Sequence, residues 1–373
     1  MAQRGGGEER VGPGREGAGS RRLRRVLRVL TWLLIGVVLL VAGVVALLHI
    51  LFSGNLEGID IDGQLGGDRP RDVPNGTMDL LILGSDSRAG QNARYGRASG
   101  ARADTAMVVH VAAGHKEATV VSIPRDTLVD RPSCRRPGGG HTPARQRVMF
   151  NDSYRVGGPA CSVKTVEAMT GIRMDHYLEM DFAGFKKLVD ALGGVTVTTR
   201  KPIDDRDSKL RLPAGTHHLD GEESLSFVRT RHGVGDGSDL ARIELQQRFL
   251  TALLNKVHDR RLLTNPAKLY RVADAASGAL TTDSEIASVK GVTDLADDLG
   301  GIKSDRLTTM VLPVDYDSAD PNRLVPRGPQ ARQVWAALRA DRPVPESALN
   351  ARPEPARTDP HPPVTSRLAP VPR

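Results

Sequence analysis

Five short clusters in this chain pair arginine with aspartate, and each stands where a run of apolar residues ends or a polar loop begins. Guanidinium groups match phosphate oxygens two at a time, and aspartates supply the hard oxygen ligands that Mg²⁺ requires. Because ligand sites of α/β proteins gather at strand ends, the clusters predict a phosphate site. For any single cluster the alternative is a surface ion pair, which is common and weak. The clusters are Gly84-Ser85-Asp86-Ser87-Arg88, Arg102-Ala103-Asp104-Thr105, Pro124-Arg125-Asp126, Arg229-Thr230-Arg231 and Asp239-Leu240-Ala241-Arg242.

An apolar stretch at residues 29–52 indicates where the chain resides. Its length matches the roughly 20 residues that a bilayer-spanning helix needs. Arginines crowd the preceding residues 1–28, and acidic residues follow the stretch, so the amino terminus is expected in the cytoplasm and the remainder outside. A cleaved signal peptide is the alternative, but its apolar core would be too long and no A-x-A-like site follows. The sequence predicts a single-pass protein of the cell membrane with an extracytoplasmic domain.

The formal net charge of +8 raises the possibility of nucleic-acid binding. Much of this excess lies in residues 1–28, which are rich in Gly and Arg and carry no apolar periodicity. Such a segment is better interpreted as a disordered leader against anionic lipid headgroups. We therefore expect a membrane, and no nucleic acid, as partner.

The two cysteines, Cys134 and Cys161, both follow the apolar stretch and are expected outside the membrane, where disulfides persist. Both are flanked by Gly and Pro, which predicts loops on either side. A bridge between them is expected to fix a flexible insertion. The alternative is a pair of free thiols.

The remaining chain divides into three parts by composition. Residues 53–77 are rich in Gly, Asp and Pro and predict a linker, and residues 341–373 predict a disordered, Pro-rich tail. Between them, residues 78–340 alternate strand-like and helix-like patterns, which favours a single α/β domain with three α-β-α layers around a central mixed sheet. Strands are predicted at 78–83, 106–112, 118–123, 195–199 and 308–314. Helices are predicted at 162–169, 182–192 and 240–257, and around 283–299 and 330–339.

The clusters belong to a longer ordered series of motifs. The series is Asp86-x-Arg88, Arg102-x-Asp104-Thr105, Ile123-Pro124-Arg125-Asp126, Phe150-Asn151-x-Ser153-Tyr154, Tyr177-x-x-x-Asp181-Phe182, Leu188-Val189-Asp190-x-Leu192-Gly193-Gly194, Phe227-Val228-Arg229-x-Arg231 and Asp239-x-x-Arg242-x-x-x-Gln246-Gln247. Over about residues 78–257 it resembles the LytR-CpsA-Psr family. The resemblance implies a membrane-anchored phosphotransferase of bacterial wall assembly. Such enzymes move a glycopolymer, such as a teichoic acid, from a polyprenyl-pyrophosphate carrier to peptidoglycan and release polyprenyl phosphate.

The resemblance also implies roles for individual residues. Asp86 and Asp104 match the aspartates that hold Mg²⁺, and Asp239 would either orient Arg242 or act as the base toward the acceptor hydroxyl. Arg125, Asp239 and Arg242 are the candidate catalytic residues. Met149 and Leu245 depart from the family pattern, which more often has basic residues there. The pyrophosphate clamp would consist of Arg88, Arg102, Arg125, Arg229, Arg231, Arg242 and Gln246.

Two other functions stay open at this point. A hydrolase would cleave the same lipid carrier with water as the acceptor. A membrane-bound regulatory protein, such as a transcriptional attenuator, is disfavoured because residues 1–28 are too few for a DNA-reading module.

Other motifs in the chain give weaker evidence of a functional site. His217, His218 and His232 lack ligand partners at zinc spacing, and neither a P-loop nor a Gly-x-Ser-x-Gly elbow is present.

Overall fold

The computed structural model describes residues 57–85, 103–136, 138–234, 239–259 and 264–349. These residues belong to one compact unit, Asn55–Arg373. Within the described ranges no helix has both the length and the apolar character that crossing a bilayer demands. The predicted leader and membrane helix, residues 1–52, lie outside these ranges.

Seven strands form the central sheet, and shorter ones form hairpins around it. The strands are β1 (Glu57–Ile59), β2 (Met78–Ser85), β3 (Ala103–Val111), β4 (Ala118–Ser122), β5 (Leu128–Arg131), β6 (Cys134–Arg135), β7 (His141–Thr142), β8 (Arg145–Met149), β9 (His176–Asp181), β10 (Val195–Thr199), β11 (Ile203–Asp205), β12 (Leu210–Leu212), β13 (Gly215–Leu219), β14 (Leu280–Asp283), β15 (Leu307–Val311), β16 (Val314–Tyr316) and β17 (Leu324–Pro326).

The order across the sheet is β1-β14-β9-β2-β3-β4-β15. The sheet is mixed, because β2 pairs parallel with β9 and antiparallel with β3. The predicted hairpin of β3 and β4 is confirmed, with Val109 opposite Val120. Since β3 runs antiparallel to both neighbours, its first residues lie beside the carboxyl ends of β2 and β4. Polar residues that follow β2 and β4 therefore meet those that begin β3.

Helices cover both faces of the sheet, as predicted. They are α1 (Ile61–Leu65), α2 (Phe150–Thr170), α3 (Phe182–Leu192), α4 (Gly221–Arg229), α5 (Asp239–Val257), α6 (Pro266–Ser277), α7 (Val289–Gly300), α8 (Gly328–Arg339) and α9 (Glu346–Leu349). Successive residues of β2 point to opposite faces: Leu81 packs with Val166 of α2 and Trp335 of α8, and Leu80 packs on the face covered by α5 and α7. The result is a three-layer α-β-α domain.

A third apolar cluster lies between two hairpins and the helices α3 to α5. Val197 of β10, Leu210 of β12 and Phe227 of α4 are buried there against Phe249 of α5. Leu245, one of the two departures from the family pattern, is also buried in this cluster with 1% of its surface exposed. An arginine at that position would bury its charge in an apolar environment.

The predicted linker contains regular structure. β1 extends the sheet edge by parallel pairing with β14, and α1 buries Ile61 and Leu65. The Arg69 side chain is 6% exposed and forms a salt bridge with Glu167 of α2 at 2.6 Å. Part of the predicted linker at 53–77 is therefore ordered, because apolar side chains too few to show periodicity still pack on the domain. The start of the predicted tail is also ordered, with Val344 and Ala348 buried in the main core.

A disulfide joins Cys134 of β6 to Cys161 of α2, as predicted. The prediction of loops on both flanks was wrong for Cys161, which lies within α2. The helix is interrupted at Gly158, whose φ is 65°, and it resumes at Pro159. Proline at the first position of a helix loses no hydrogen bond, so the Gly-Pro pair starts a second helical segment and not a loop.

Candidate active site

The candidate site lies at one edge of the central sheet, where the start of β3, the turn after β4 and the ends of two helices converge. Asp104 is in β3, Arg125 follows β4, Arg231 follows α4, and Asp239 and Arg242 lie in the first turn of α5. The fold therefore brings residues more than 100 positions apart in sequence, such as Asp104 and Arg242, into direct contact. Four of the five predicted clusters contribute residues to this one site.

Arg125 occupies the centre of the site. Its Nη1 donates to Asp104 Oδ1 at 2.6 Å, and its Nε lies 3.4 Å from Asp126 Oδ2 and 3.8 Å from Asp239 Oδ1. The backbone N–H of Asn151, at the start of α2, donates to the Arg125 carbonyl at 3.2 Å. The Asn151 motif therefore holds the Arg125 backbone in place and is not itself in the arginine cluster.

Asp239 gathers three guanidinium groups. Its Oδ1 lies 2.6 Å from Arg242 Nη2, 3.5 Å from Arg231 Nη2 and 3.8 Å from Arg125 Nε. Arg242 is one helical turn along α5, so the i, i+3 spacing places both side chains on the same face. Only 14% of the Asp239 side chain is exposed, which limits competition from water. One carboxylate thus orders side chains from three separate elements.

Several polar atoms at this point have no hydrogen-bond partner among the described residues. They are Arg125 Nε, Arg242 Nε and both carboxylate oxygens of Asp239. The 2.6 Å approach of Arg242 to Asp239 is therefore a close ion pair and not an aligned hydrogen bond. A buried polar group without a partner costs about 1–3 kcal/mol. Donors and acceptors left together in this way suit a site that is completed by a polar ligand.

Arg242 is nearly buried, and its Nη2 donates to the Asp104 backbone carbonyl at 3.0 Å. The pKa of Arg242 is lowered to about 10: burial is the largest cause, the positive charges of Arg231 and Arg125 act in the same direction, and the charge of Asp239 opposes them. Arg125 differs: burial lowers its pKa, but Asp104, Asp126 and Asp239 raise it above the ordinary value. At neutral pH both side chains are cationic, and the site concentrates positive charge.

Two other predicted clamp residues take different positions. Gln246 Nε2 donates to Thr105 Oγ1 at 3.1 Å and to the Val228 carbonyl at 3.2 Å, so its amide ties β3 to α4. The Arg229 guanidinium lies 4.7 Å from the ring centroid of Phe182, at the start of α3. Among the described contacts, Arg125, Arg231 and Arg242 therefore form the cluster around Asp239, and Gln246 positions the elements that carry it.

Three predicted residues, Asp86, Arg88 and Arg102, lie outside the described residues. In sequence Asp86 and Arg102 adjoin Ser85 and Ala103, which pair with each other at this edge of the sheet. Their roles as metal ligand and phosphate ligands remain predictions.

The residues present fit a hard divalent cation. The Asp104 carboxylate is partly exposed at this edge of the sheet, and a carboxylate supplies oxygen ligands of the kind that Mg²⁺ prefers. Two further groups, His176 with Asp283 and Glu285, and Asp205 with Asp207 and His232, hold possible ligand atoms within 4.8 Å of one another. In both groups the central carboxylate, Asp283 or Asp205, already accepts backbone hydrogen bonds. His217 and His218 were not expected to bind zinc, and the Nδ1 of His218 lies 3.3 Å from the Thr196 hydroxyl of the paired strand.

Two residues that contribute to the site were not expected from the sequence. Arg323, which precedes β17, brings its Nη1 to 3.7 Å from Asp126 Oδ1. Asp205, the last residue of β11, accepts a hydrogen bond from the backbone N–H of Arg231 at 2.8 Å. Both residues lie outside the ordered series of motifs and were therefore not singled out in the sequence.

Fold and site together are those of an α/β protein suited to an anionic, phosphate-containing ligand. The LytR_cpsA_psr family model matches residues 48–340. The chain therefore belongs to the LytR-CpsA-Psr family, as the motifs predicted.

Individual relatives agree with this assignment. The chain is 33% identical over 294 residues to the cell wall biosynthesis protein LcpA of Corynebacterium glutamicum, covering 71% of this chain and 56% of LcpA. It is 36% identical over 186 residues to TagT of Bacillus subtilis, a polyisoprenyl-teichoic acid–peptidoglycan teichoic acid transferase, covering 48% of this chain and 52% of TagT. The crystal structure of B. subtilis TagV superimposes with a TM-score of 0.57 at 26% identity, covering 72% of this chain and 98% of that one. The chain thus spans about half the length of the first two relatives.

Proposed function

We propose that this protein is a membrane-anchored, Mg²⁺-dependent phosphotransferase that moves a glycopolymer from a polyprenyl-pyrophosphate carrier onto peptidoglycan. The observation that carries the proposal is the convergence of three guanidinium groups within 3.8 Å of Asp239, beside Asp104. A pyrophosphate diester carries negative charge on both phosphorus centres, and such a cluster can neutralise both. The name of the relative TagT, a teichoic acid transferase, supports the same substrate class.

The proposed reaction is a displacement at phosphorus. The acceptor hydroxyl oxygen forms a bond to the phosphorus that carries the glycan, and the bond from that phosphorus to the bridging oxygen breaks. Polyprenyl phosphate leaves with the bonding electron pair, the hydroxyl proton passes to solvent, and the glycan is joined to the acceptor by a phosphodiester. Such chemistry requires positioning and charge neutralisation more than a covalent nucleophile.

Each group of the site has a part in this reaction. Arg125, Arg231 and Arg242, with Arg88, Arg102 and Arg229 of the predicted clamp, bind the phosphate oxygens. Asp239 orients Arg242 and its neighbours, since its charge is already engaged by three guanidinium groups. Asp86 and Asp104 would hold Mg²⁺, which when bound supplies further neutralisation of the phosphate oxygens.

Product analysis of the full-length protein in detergent tests the proposal. A polyprenyl-pyrophosphate-linked saccharide is incubated with and without peptidoglycan fragments, in Mg²⁺ or in excess chelator, and the products are identified by mass spectrometry. We expect a saccharide-phosphate-peptidoglycan product that requires both acceptor and Mg²⁺. Free saccharide phosphate, formed equally well without acceptor, would favour the hydrolase alternative. The absence of any product would favour a regulatory protein.

A further inference from the structure

The segment that carries Arg229 and Arg231 rests on a small hairpin formed by β11 and β12. Asp205, the last residue of β11, is 2% exposed, and its carboxylate accepts four backbone hydrogen bonds. Oδ1 accepts from Asp207 at 2.9 Å and Ser208 at 3.3 Å, which closes the hairpin turn. Oδ2 accepts from Arg231 at 2.8 Å and His232 at 3.0 Å. The carboxylate therefore links the hairpin turn to the arginine segment.

Two further contacts join the same pair of segments. The hydroxyls of Ser208 and Thr230 are 2.8 Å apart, and Thr230 is fully buried. Gly233 has a φ of 75°, and a Cβ there would lie 2.9 Å from the Asp204 carbonyl oxygen. The two backbones are thus in direct contact. This contact fixes the chain on both sides of Arg231.

These contacts exclude a metal site at the group of Asp205, Asp207 and His232. Each carboxylate oxygen of Asp205 already accepts hydrogen bonds from two backbone N–H groups, and these occupy the favourable lone-pair directions of that oxygen. The Nδ1 of His232 lies 3.8 Å from Asp205 Oδ1 and 3.2 Å from Asp207 Oδ2, and its side chain is 65% exposed. The Asp205 carboxylate instead holds the backbone of the hairpin turn and of the Arg231 segment in place.

We propose that Asp205 is a positioning residue of the pyrophosphate site, acting through Arg231. An arginine side chain has several rotatable bonds, so the position and orientation of its guanidinium group depend on a fixed backbone. With its N–H held by Asp205, Arg231 extends to within 3.5 Å of Asp239. This inference rests on the proposed function, because it concerns how one arginine of that site is aimed.

A double-mutant cycle in the full-length protein tests this role. Asp205→Asn retains one acceptor oxygen and turns an amide group toward two N–H donors, so we expect kcat/KM for the polyprenyl-pyrophosphate donor to fall by roughly 10-fold to 100-fold. If Asp205 acts through Arg231, Asp205→Asn should cost little more in an Arg231→Ala background. Amide hydrogen exchange of peptides covering 226–234 should rise in Asp205→Asn. Asp204→Asn is the matched control, since Asp204 is the exposed neighbour and pairs with Arg211 at 2.9 Å. It should change neither activity nor exchange.

Ser208→Ala provides a second variant in case Asp205→Asn does not fold. It removes the contact with Thr230 without altering a buried charge, and we expect a smaller loss of kcat/KM that is again suppressed in the Arg231→Ala background. Additive losses, or unchanged exchange at 226–234, would overturn the positioning role while leaving the proposed function intact. If Arg231→Ala itself leaves donor turnover unchanged, the assignment of this arginine to the site fails, and the inference fails with it.

Discussion

Asp239 is the residue on which the described site depends most. Its single carboxylate is close to arginines from the turn after β4, the end of α4 and the first turn of α5. Two roles were open from the sequence: a base toward the acceptor, or a residue that orients Arg242. The engagement of Asp239 by three cations favours orientation.

Replacing Asp239 with asparagine should separate these roles. The variant leaves Arg242 buried without its counter-charge. We expect kcat/KM to fall on the order of 100-fold, because the three guanidinium groups around residue 239 are no longer held in position for the phosphate oxygens. The acidic limb of the pH–rate profile should stay the same, since no proton acceptor of the reaction has been removed. Steady-state kinetics from about pH 5 to pH 9 provide the measurement.

Glu244→Gln is the matched control, because Glu244 is exposed on the same helix and lies 3.9 Å from Arg248. It should behave like the wild type. Loss of the acidic limb of the profile in Asp239→Asn, with activity reduced to background, would instead identify Asp239 as the base.

The element whose stability depends most clearly on a covalent link is α2. Its second segment is tied by Cys161 to Cys134 of the β6–β7 hairpin, across a sequence separation of 27. Gly157 allows this close approach, since a Cβ there would lie 3.2 Å from the Cys134 Cβ. Neither cysteine contacts the arginine cluster in the described structure. The bridge is therefore expected to affect stability and not catalysis.

We expect the double variant Cys134→Ser, Cys161→Ser to unfold with a free energy lower by about 3.5 kcal/mol, the chain-entropy value for a loop of this length. Denaturant titration provides the measurement, and donor turnover at low temperature should remain near the wild-type value. Reductant is the control: it should destabilise the wild type by a similar amount and leave the double variant unchanged. A wild type insensitive to reductant, or a double variant without activity, would contradict this prediction.

At the scale of the whole molecule, His110 joins the last described segment to the central sheet. It is buried in β3, with Nδ1 2.8 Å from Asp79 Oδ1 of β2 and Nε2 3.2 Å from Asp341 Oδ1. Burial lowers the pKa of His110, but the hydrogen bonds and charges of Asp79 and Asp341 outweigh it and raise the pKa above the ordinary value. Asp175 is also nearby, accepting from the Asp79 N–H at 2.7 Å.

A raised folded-state pKa gives the pH dependence a definite sign. The stabilisation from His110 is complete below the unfolded pKa, about 6.5, and is lost as pH rises through the folded value. The difference in unfolding free energy between wild type and His110→Gln should therefore be largest near about pH 5.5 and decrease toward about pH 8.5. Using a difference removes the contribution of His176, whose pKa is also raised: burial lowers it, and Asp283 more than compensates. A difference independent of pH would refute the assignment.

Much of this architecture could be predicted from the sequence because its elements carry strong local signals. The β3–β4 hairpin, the amphipathic α3 and the long α5 all have regular apolar spacing. The ends of α3 are also marked in the sequence: the Asp181 side chain caps its start, and Gly193 adopts the left-handed conformation after its last residue. The site was predictable in part, since Asp104, Arg125, Arg231, Asp239 and Arg242 do meet. Asp205 could not be predicted, because its partners are backbone N–H groups brought near by the β11–β12 hairpin. The ordered residues 57–65 escaped prediction because their few apolar side chains are stabilised only by docking on the domain.

The fate of a phosphorus label gives the most direct test of the proposed phosphotransferase activity. A polyprenyl-pyrophosphate-linked saccharide labelled with ³²P only at the phosphorus bonded to the sugar is incubated with the full-length protein, Mg²⁺ and peptidoglycan. We expect the label to move to peptidoglycan together with the saccharide, and unlabelled polyprenyl phosphate to be released. Label retained on the lipid as polyprenyl pyrophosphate, with saccharide joined to peptidoglycan, would show cleavage at the sugar carbon and contradict a phosphotransferase.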